Sequence, residues 1–377
     1  MQFLKNFTPE LTVKSPGRIN LIGEHTDYNM GYVLPTAIEK NITFHFQKNE
    51  SDHRCSIYSK TYDTGFELDL GTISRSKNEW ENYILGVLNE ILKRTDCLRG
   101  FDCTLESNLP TGSGLSSSAA LECGLAFGLN ELFQLGLSKL EMVQLSQTAE
   151  HTYVGTQCGI MDQFASVMSR AGHVILLDCR SLESSYIPIA LHPYKIILLN
   201  TKVSHNLASS EYNTRKQECE QGVAIIQKEY PKVKSLRDVT PEMLTSCKSK
   251  MNLTVFNRCS FIVAENERVL DMADALKNKD IHRVGSLLYK AHEGISKLYE
   301  VSCTESDFLV DFSKSNSRVL GARQTGGGFG GCTLNIVHET AVDSFIESAS
   351  KAYKAKFDID LEPFEVSPSG GTSLYVP

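Results

Sequence analysis

The chain has 377 residues, of which 41% are hydrophobic and 22% charged, with a formal net charge of −7. Its length suits two domains rather than one core. The negative charge argues against a nucleic acid or an anionic membrane as partner, although a local basic pocket could still bind a nucleotide.

Eleven cysteines are scattered without CxxC spacing, which indicates reduced thiols in a cytoplasm rather than a disulfide framework or zinc site. The N-terminal residues contain no apolar run of signal-peptide length, and no stretch approaches the roughly 20 apolar residues of a membrane span. We therefore expect a cytoplasmic protein, and a monomer.

The first half alternates strand-like and helical patterns. Short strands are predicted over Leu11–Val13 and Asn41–Phe46, and a strand end runs into a Gly/Ser loop over Leu105–Gly114. A helix follows over Ser117–Phe133. The next helix begins at Ser138, which forms an S-x-x-E capping box with Glu141, and stops near Gly155.

The rest of the chain repeats this mixture, so we predict an α+β protein of two domains, residues 1–185 and 186–377, with the boundary in the polar stretch 180–193. The predicted elements are strands at His173–Asp178 and Lys195–Asn200, helices at Asn206–Tyr230, Phe261–Tyr299 and Ala341–Phe357, and strands around a late glycine cluster.

The loop LPTGSGLSSSAA (Leu109–Ala120) joins a predicted strand to a helix. Its glycines allow close backbone approach, and its serines stand where the free N–H groups of a helix start favour an anion. The loop is therefore a candidate phosphate site, although a serine N-cap after a flexible turn would give the same composition. No GxxxxGK[ST] motif occurs in the chain.

The segment GRINLIGEHTDYN (Gly17–Asn29) concentrates Arg18, Glu24, His25 and Asp27 within ten residues. Carboxylate, imidazole and guanidinium groups together can hydrogen-bond sugar hydroxyls. A solvated polar loop and a metal site are the alternatives, but three neighbours on one turn rarely converge on one ion.

Two further acidic residues lie in AEHTYVGTQCGIMDQFAS (Ala149–Ser166). Glu150 stands at a helix C-terminus, where the dipole disfavours a carboxylate unless a cation such as Mg²⁺ is bound. Asp162 begins another helix and is either an N-cap or a base or electrostatic partner.

The segment QTGGGFGGC (Gln324–Cys332) contains GxGxxG at Gly326, Gly328 and Gly331. It stands between two predicted strands, whereas a dinucleotide site needs a strand followed by a helix. We interpret it as a packed glycine turn.

Together these segments, with CGIMDQF, SHNLASSEYNTRKQEC, YEVSC and EWENYILGV, resemble the galactokinase family of the GHMP superfamily of small-molecule kinases. The resemblance implies a ribosomal-protein-type α/β domain, a ferredoxin-like domain and an active site between them. It also implies ATP and Mg²⁺, and transfer of a phosphoryl group to galactose at O1.

The resemblance further implies residue roles. These are Asp162 and Arg18 for catalysis; Glu24, His25, Thr26, Asp27, Gly159 and Tyr212 for the sugar; Ser59, Gly112, Ser113, Gly114, Leu115, Ser116, Ser117 and Ser118 for the nucleotide; and Ser118 and Glu150 for Mg²⁺. Kinases for N-acetylgalactosamine or arabinose, and a kinase-derived sugar sensor, are the alternatives.

Overall fold

A computed structural model describes residues 2–110, 112–203 and 208–376, with the backbone alone at 2–3 and 208–210. The strands are β1 (Leu11–Asn20), β2 (Tyr32–Val33), β3 (Pro35–Lys48), β4 (Arg54–Ser59), β5 (Thr64–Asp69), β6 (Phe101–Ser107), β7 (His173–Asp178), β8 (Ser184–Pro188), β9 (Tyr194–Asn200), β10 (Val319–Thr325), β11 (Cys332–His338), β12 (Glu362–Val366) and β13 (Ser373–Leu374). The α-helices are α1 (Glu79–Leu92), α2 (Ser117–Phe133), α3 (Lys139–Ala149), α4 (Met161–Met168), α5 (Ala208–Gln227), α6 (Pro241–Ser246), α7 (Leu253–Lys277), α8 (Ile281–Gly294), α9 (Thr304–Lys314) and α10 (Val342–Phe357).

The first sheet has the order β13-β1-β3-β6-β4-β5, antiparallel except for the parallel pair β4–β6. Helix α2 packs on it closely, because a Cβ on Gly124 would lie 2.2 Å from the Phe44 ring. Strands β1 and β3 are longer than the predicted short strands. Strand β1 carries buried polar side chains: Arg18 faces the site described below, whereas Ser15 hydrogen-bonds Ser166 and Thr372.

The helices of the first half confirm the sequence patterns. Helix α2 has the predicted bounds, and α3 begins after the predicted capping box, in which Ser138 and Glu141 hydrogen-bond reciprocally. The chain continues from α3 through a π-helical turn, Glu150–Val154, and stops at Gly155 as expected.

The second half is built on the antiparallel sheet β10-β11-β9-β12. The predicted helix at Phe261–Tyr299 is two helices, α7 and α8, because Asp280 caps a new helix after the break. A π-helical turn, Ile295–Tyr299, extends α8. Helix α5 confirms most of the predicted helix at 206–230, whose first two residues lie outside the described part of the chain.

The predicted boundary stretch, 180–193, contains one strand that the polar composition concealed. Strand β8 pairs with β7 in a small sheet with β2, and its exposed side chains explain its polarity. Strand β13 returns from the C-terminal end to pair with β1 in the first sheet. The ranges 1–185 and 186–377 stay a prediction.

The structure bears on two interpretations made from the sequence, one of the glycine segment and one of the cysteines. The glycine segment joins the antiparallel strands β10 and β11, which confirms a turn and not a dinucleotide site. All eleven cysteines are free. Within the described residues, every helix is too short or too polar to cross a membrane.

Candidate active site

The centre of the site is an ion pair between Arg18 on β1 and Asp162 in the first turn of α4. Arg18 donates from Nε to Oδ1 of Asp162 at 2.6 Å and from Nη2 to Oδ2 at 2.7 Å. Ser116 Oγ also donates to Oδ2. Asp162 is therefore not an N-cap, and its carboxylate is held by three donors. Burial alone would lower the pKa of Arg18, but Asp162 and two neighbouring carboxylates raise it.

A β-bulge directs Arg18 toward this position. The register of β1 against β3 shifts between Pro16 and Arg18, which turns the following side chain. Gly17 is required there, because a Cβ would lie 2.6 Å from the Leu115 carbonyl oxygen. That same carbonyl accepts from the Arg18 amide at 3.0 Å, and Arg18 Nη1 donates to Gly114 O at 2.7 Å. The arginine thus joins the carboxylate to the Gly/Ser loop.

The Gly/Ser loop leaves the start of α2 open to a ligand. Gly112 and Gly114 have φ of 68° and 71°, and Ser116, the N-cap, has φ of 58° without a side-chain capping bond. Free N–H groups and the positive end of the helix dipole therefore meet beside Ser117 and Ser118. Thr111 lies outside the described residues.

The remaining loop residues stabilise the turn. Ser113 is buried and donates to Pro110 O at 2.6 Å, and Leu115 is buried in the core. The structure therefore brings Ser116, Ser117 and Ser118 to the open helix start, whereas Ser113 and Leu115 serve the loop through packing and backbone contacts.

Glu24 is bound by the second half of the chain. Its carboxylate forms a buried ion pair with Arg323 of β10 and accepts from the Gly326 amide at 3.0 Å and from Asn20 Nδ2 at 2.8 Å. Burial raises the pKa of Glu24, and Arg323 opposes that shift. The metal alternative for this motif fails in the described residues, where no three candidate ligands converge.

His25 and Thr26 have different positions relative to the cavity. His25 adopts φ of 63° and is buried. Burial, followed by the charge of Arg215, lowers its pKa to about 3, so the imidazole is neutral. Thr26 is buried behind the cavity lining, and its hydroxyl donates to Gly23 O at 2.8 Å and to Tyr32 O. A sugar contact from Thr26 stays a prediction.

The carboxylate of Asp27 packs directly against the backbone of Gly159. Asp27 Oδ1 accepts from the Tyr28 amide at 2.9 Å. A Cβ on Gly159 would lie 1.9 Å from Asp27 Oδ2, so only glycine admits this carboxylate. Burial, and then the negative charge of Asp162, raise the pKa of Asp27 to about 7.

These residues line one cavity between the two halves, the sugar-motif cavity, which is named after the segment Gly17–Asn29. Tyr212 of α5 contributes a wall, with its ring 5.2 Å from that of His25. The lining consists of Arg18, Glu24, His25, Asp27, Glu150, Thr156, Cys158, Gly159, Met161, Asp162, Tyr212, Gly326 and Gly327. The cavity therefore unites the sugar motif, both candidate catalytic residues and the glycine turn.

Glu150 lies at the edge of this cavity in a strongly acidic environment. Burial, and then the charge of Asp162, raise its pKa to about 7. Gln163 Nε2 donates to Glu150 at 2.8 Å and to buried Glu122 at 3.3 Å. Burial, followed by the charge of Glu150, raises the pKa of Glu122. A cation would stabilise this group of carboxylates. A carboxylate such as that of Glu150, together with a hydroxyl such as that of Ser118, suits Mg²⁺ bound to phosphates.

A second cavity lies on the other side of the α2 start. Its lining is mainly apolar and aromatic: Ile42, Ser59, Thr61, Tyr62, Trp80, Tyr83, Leu105, Ser107, Leu109, Pro110, Ser117, Ser118 and Leu121. Ser59 and Ser118, which the resemblance assigns to the nucleotide, both line this cavity, and that role stays a prediction. An apolar slot beside a helix start whose N–H groups could bind an anion suits a purine attached to phosphates.

Sequence reasoning missed several residues of the site. Arg323 precedes the glycine turn, and Trp80 and Tyr83 lie in EWENYILGV, but none was selected. The only signal for them was membership of segments that match the family. Their packing partners are distant in sequence, so spacing alone could not indicate a role.

Family models match three parts of the chain. They are the galactokinase galactose-binding signature over residues 1–48, the N-terminal domain of GHMP kinases over 82–170 and the C-terminal domain of GHMP kinases over 272–355. A galactokinase of Thermosipho africanus is 43% identical over 363 residues, 96% of this chain and 99% of its own. The chain belongs to the galactokinase family of GHMP kinases.

Further comparisons agree with this family. A galactokinase of Chloroflexus aggregans is 38% identical and covers 97% of this chain and 93% of its own. The crystal structure of a Lactococcus lactis galactokinase complexed with galactose matches with a TM-score of 0.93 and 33% identity, covering 96% of this chain and 94% of that one. A mevalonate kinase, at 17% identity and a TM-score of 0.67, shares the fold. The predicted α+β, two-domain GHMP fold is confirmed.

The pKa of Asp27 predicts a pH-dependent stability. Between the ordinary aspartate pKa of 3.8 and about 7, the folded chain keeps a proton that the unfolded chain has lost. The free energy of unfolding therefore falls as the pH rises through this window, by up to about 4 kcal/mol from this group. Because asparagine does not titrate, we expect the free energy of unfolding of Asp27→Asn to lack this contribution and to fall less with rising pH.

Urea unfolding at pH 4.5, 6 and 7.5 measures this effect as the difference between variant and wild type. Exposed Asp343, replaced by Asn, is the control and should give a curve parallel to the wild type. A difference between Asp27→Asn and wild type that stays constant with pH would contradict the prediction.

Proposed function

We propose that this galactokinase-family chain transfers the γ-phosphoryl group of ATP to O1 of galactose, giving galactose 1-phosphate and ADP. One observation carries the proposal. Asp162 lines the sugar-motif cavity and accepts a hydrogen bond from Ser116. The two residues that follow Ser116, which are Ser117 and Ser118, line the second cavity. A sugar in the first cavity and a nucleotide in the second would therefore meet at the start of α2.

The Arg18–Asp162 pair suits the reacting centre of phosphoryl transfer. A carboxylate offers about four lone-pair sites, and three are occupied by Arg18 and Ser116. We assign the remaining site to the O1 hydroxyl, whose proton Asp162 accepts while O1 attacks the γ-phosphorus and the bond to the ADP oxygen breaks. Arg18 is placed to stabilise negative charge on the transferring group.

The nucleotide assignment rests on the second cavity and the open helix start. We assign the base to the slot between Trp80 and Tyr83 and the phosphates to the N–H groups near Ser117 and Ser118. Ser118 and Glu150 would hold Mg²⁺, which neutralises phosphate charge when bound. The buried carboxylates around Glu150 favour a cation at that position.

The sugar assignment rests on the polar atoms that face the first cavity. Glu24, His25, Asp27 and Tyr212 all line it. A galactose kinase of this kind would act as a cytoplasmic monomer. The free cysteines are consistent with the reducing interior of a cell.

Steady-state kinetics with a panel of sugars tests the proposed function. Glucose differs from galactose in the orientation of its C4 hydroxyl, which would leave buried polar atoms without partners at about 1–3 kcal/mol each. We expect kcat/KM for galactose to exceed that for glucose by at least about 10²-fold. Faster turnover of N-acetylgalactosamine or arabinose, or galactose binding without ATP turnover, would contradict the proposal.

Asp162→Asn tests the proposed acceptor of the O1 proton. The amide keeps the volume but does not accept a proton, so we expect kcat to fall by roughly 10²–10⁴-fold, with a smaller change in ATP affinity. Asp178→Asn is a matched control, because Asp178 also pairs with an arginine, Arg237, at 3.1 Å but lines neither cavity. A kcat within about threefold of wild type would rule out the assignment.

Glu150→Gln tests the Mg²⁺ assignment through binding. We expect the variant to need at least about tenfold more Mg²⁺ for tight ATP binding, since it loses an anionic ligand. Calorimetric titration of ATP at several Mg²⁺ concentrations measures this requirement. Glu90→Gln, which alters a buried carboxylate that pairs with Lys93 and Arg94 and lies outside both cavity linings, should behave like wild type. Superimposable curves for Glu150→Gln and wild type would remove Glu150 from the site.

A further inference from the structure

A chain of hydrogen bonds leads from the sugar-motif cavity into the second half of the protein. His25 Nδ1 lies 2.9 Å from the Tyr28 hydroxyl, which lies 2.7 Å from the hydroxyl of Tyr299. The Tyr299 hydroxyl lies 3.3 Å from Sγ of Cys219. The other ring nitrogen of His25, Nε2, is at the cavity end of this chain.

All four groups are neutral near pH 7. Burial lowers the pKa of His25 to about 3, assisted by Arg215. Burial raises the pKa of both tyrosines far above the ordinary value and that of Cys219 to about 12. A neutral imidazole carries one hydrogen, so the partner of Nδ1 decides which nitrogen has it.

The chemistry of the partners gives the chain a direction. A phenol is a stronger acid than a neutral imidazole N–H, and an imidazole nitrogen accepts better than a phenol oxygen. Tyr28 therefore donates to Nδ1 and accepts from Tyr299, which in turn accepts from the weakly donating thiol of Cys219. The sulfur also has a hydrogen bond with the Asn29 side chain. In the reverse direction Tyr299 would have to donate to this sulfur, which is a poor acceptor and already has that partner.

The cavity end of the chain lacks a partner. Nε2 of His25 is buried and has no hydrogen bond of good geometry among the described residues, although the Gly327 backbone also interacts with the imidazole and opposes the lowering of its pKa. His25 nevertheless lines the cavity. A buried N–H without a partner is unfavourable, and a hydroxyl oxygen of a bound sugar would satisfy it.

We propose that Tyr28, itself oriented by Tyr299, is a positioning residue that holds the hydrogen of His25 on Nε2, so that His25 presents a fixed donor to one hydroxyl of the sugar. The assignment of the ligand rests on the proposed function. The tautomer of the sugar-free protein does not, so each can fail separately.

The second half of the chain supplies the support for this arrangement. Tyr299 ends the π-helical turn that follows α8, and Arg215 of α5 donates from Nε to the Tyr299 carbonyl at 2.9 Å. Arg215 also donates from Nη2 to Glu300 O at 2.9 Å. Tyr212, Arg215 and Cys219 are spaced to share one face of α5. One helix therefore contributes the sugar-cavity wall and two of the contacts that hold Tyr299.

Tyr28→Phe deletes the donor while keeping the ring, whose centroid lies 5.1 Å from that of Tyr212. Nitrogen-15 NMR of histidine-labelled protein reads the tautomer, with His25→Gln used to assign the resonance. We expect hydrogen on Nε2 in the wild type and a mixture of tautomers in Tyr28→Phe. Tyr353→Phe is the control, because it removes another buried hydroxyl, bonded to Thr201 O at 2.9 Å, and should leave the His25 signal unchanged.

Kinetics give the second measurement. In Tyr28→Phe we expect KM for galactose to rise about tenfold, with the KM for ATP unchanged. Among the monodeoxygalactoses, one analogue should be used equally well by variant and wild type, because it lacks the hydroxyl that His25 contacts. Tyr299→Phe should shift the tautomer in the same direction by less, which keeps the test valid if Tyr28→Phe fails to fold. Hydrogen on Nδ1 in the wild type, or an unchanged spectrum in both variants, would overturn the proposal.

Discussion

The site depends on how the protein stabilises several carboxylates away from water. Glu24, Asp27, Glu122 and Glu150 are all buried, and Asp162 is 27% exposed at the cavity surface. Burying charge is unfavourable unless a counter-charge or donors are supplied. Arg18, which is 4% exposed, and Arg323, which is fully buried, provide the two guanidinium groups that contact this set. Each arginine forms its ion pair across elements that are distant in sequence.

The Arg323–Glu24 ion pair also explains how the two halves make one cavity. Arg323 binds Glu24, and the Gly326 amide donates to the same carboxylate. A Cβ on Gly326 would lie 2.7 Å from the Gly114 carbonyl oxygen, so the glycine turn contacts the Gly/Ser loop directly. The glycine-rich segment of the second half is therefore part of the surroundings of the Gly/Ser loop, and its small residues permit this approach.

The sequence predicts those parts of the site that are encoded locally. The bounds of α2, the capping box of α3 and the Gly/Ser loop follow from adjacent residues, and the structure has all of them. Long-range contacts are different. Nothing in the local sequence indicates that Arg323 meets Glu24 or that Trp80 lines the second cavity, because tertiary packing creates both neighbourhoods. The same limit explains why one helical pattern concealed the break before α8, which depends on the Asp280 cap.

The two ends of the cavity differ in how far the protein compensates the charge of their carboxylates. Asp27 and Glu150 have pKa values raised to about 7, so their negative charge is only partly compensated by the protein. Sugar hydroxyls donating to Asp27, and a cation beside Glu150, would each supply compensation that the protein lacks. Asp162, by contrast, already forms an ion pair with Arg18, which donates one hydrogen bond to each of its carboxylate oxygens. The carboxylate at the proposed reaction centre is thus held by the protein itself, whereas the flanking carboxylates are left for the ligands to satisfy.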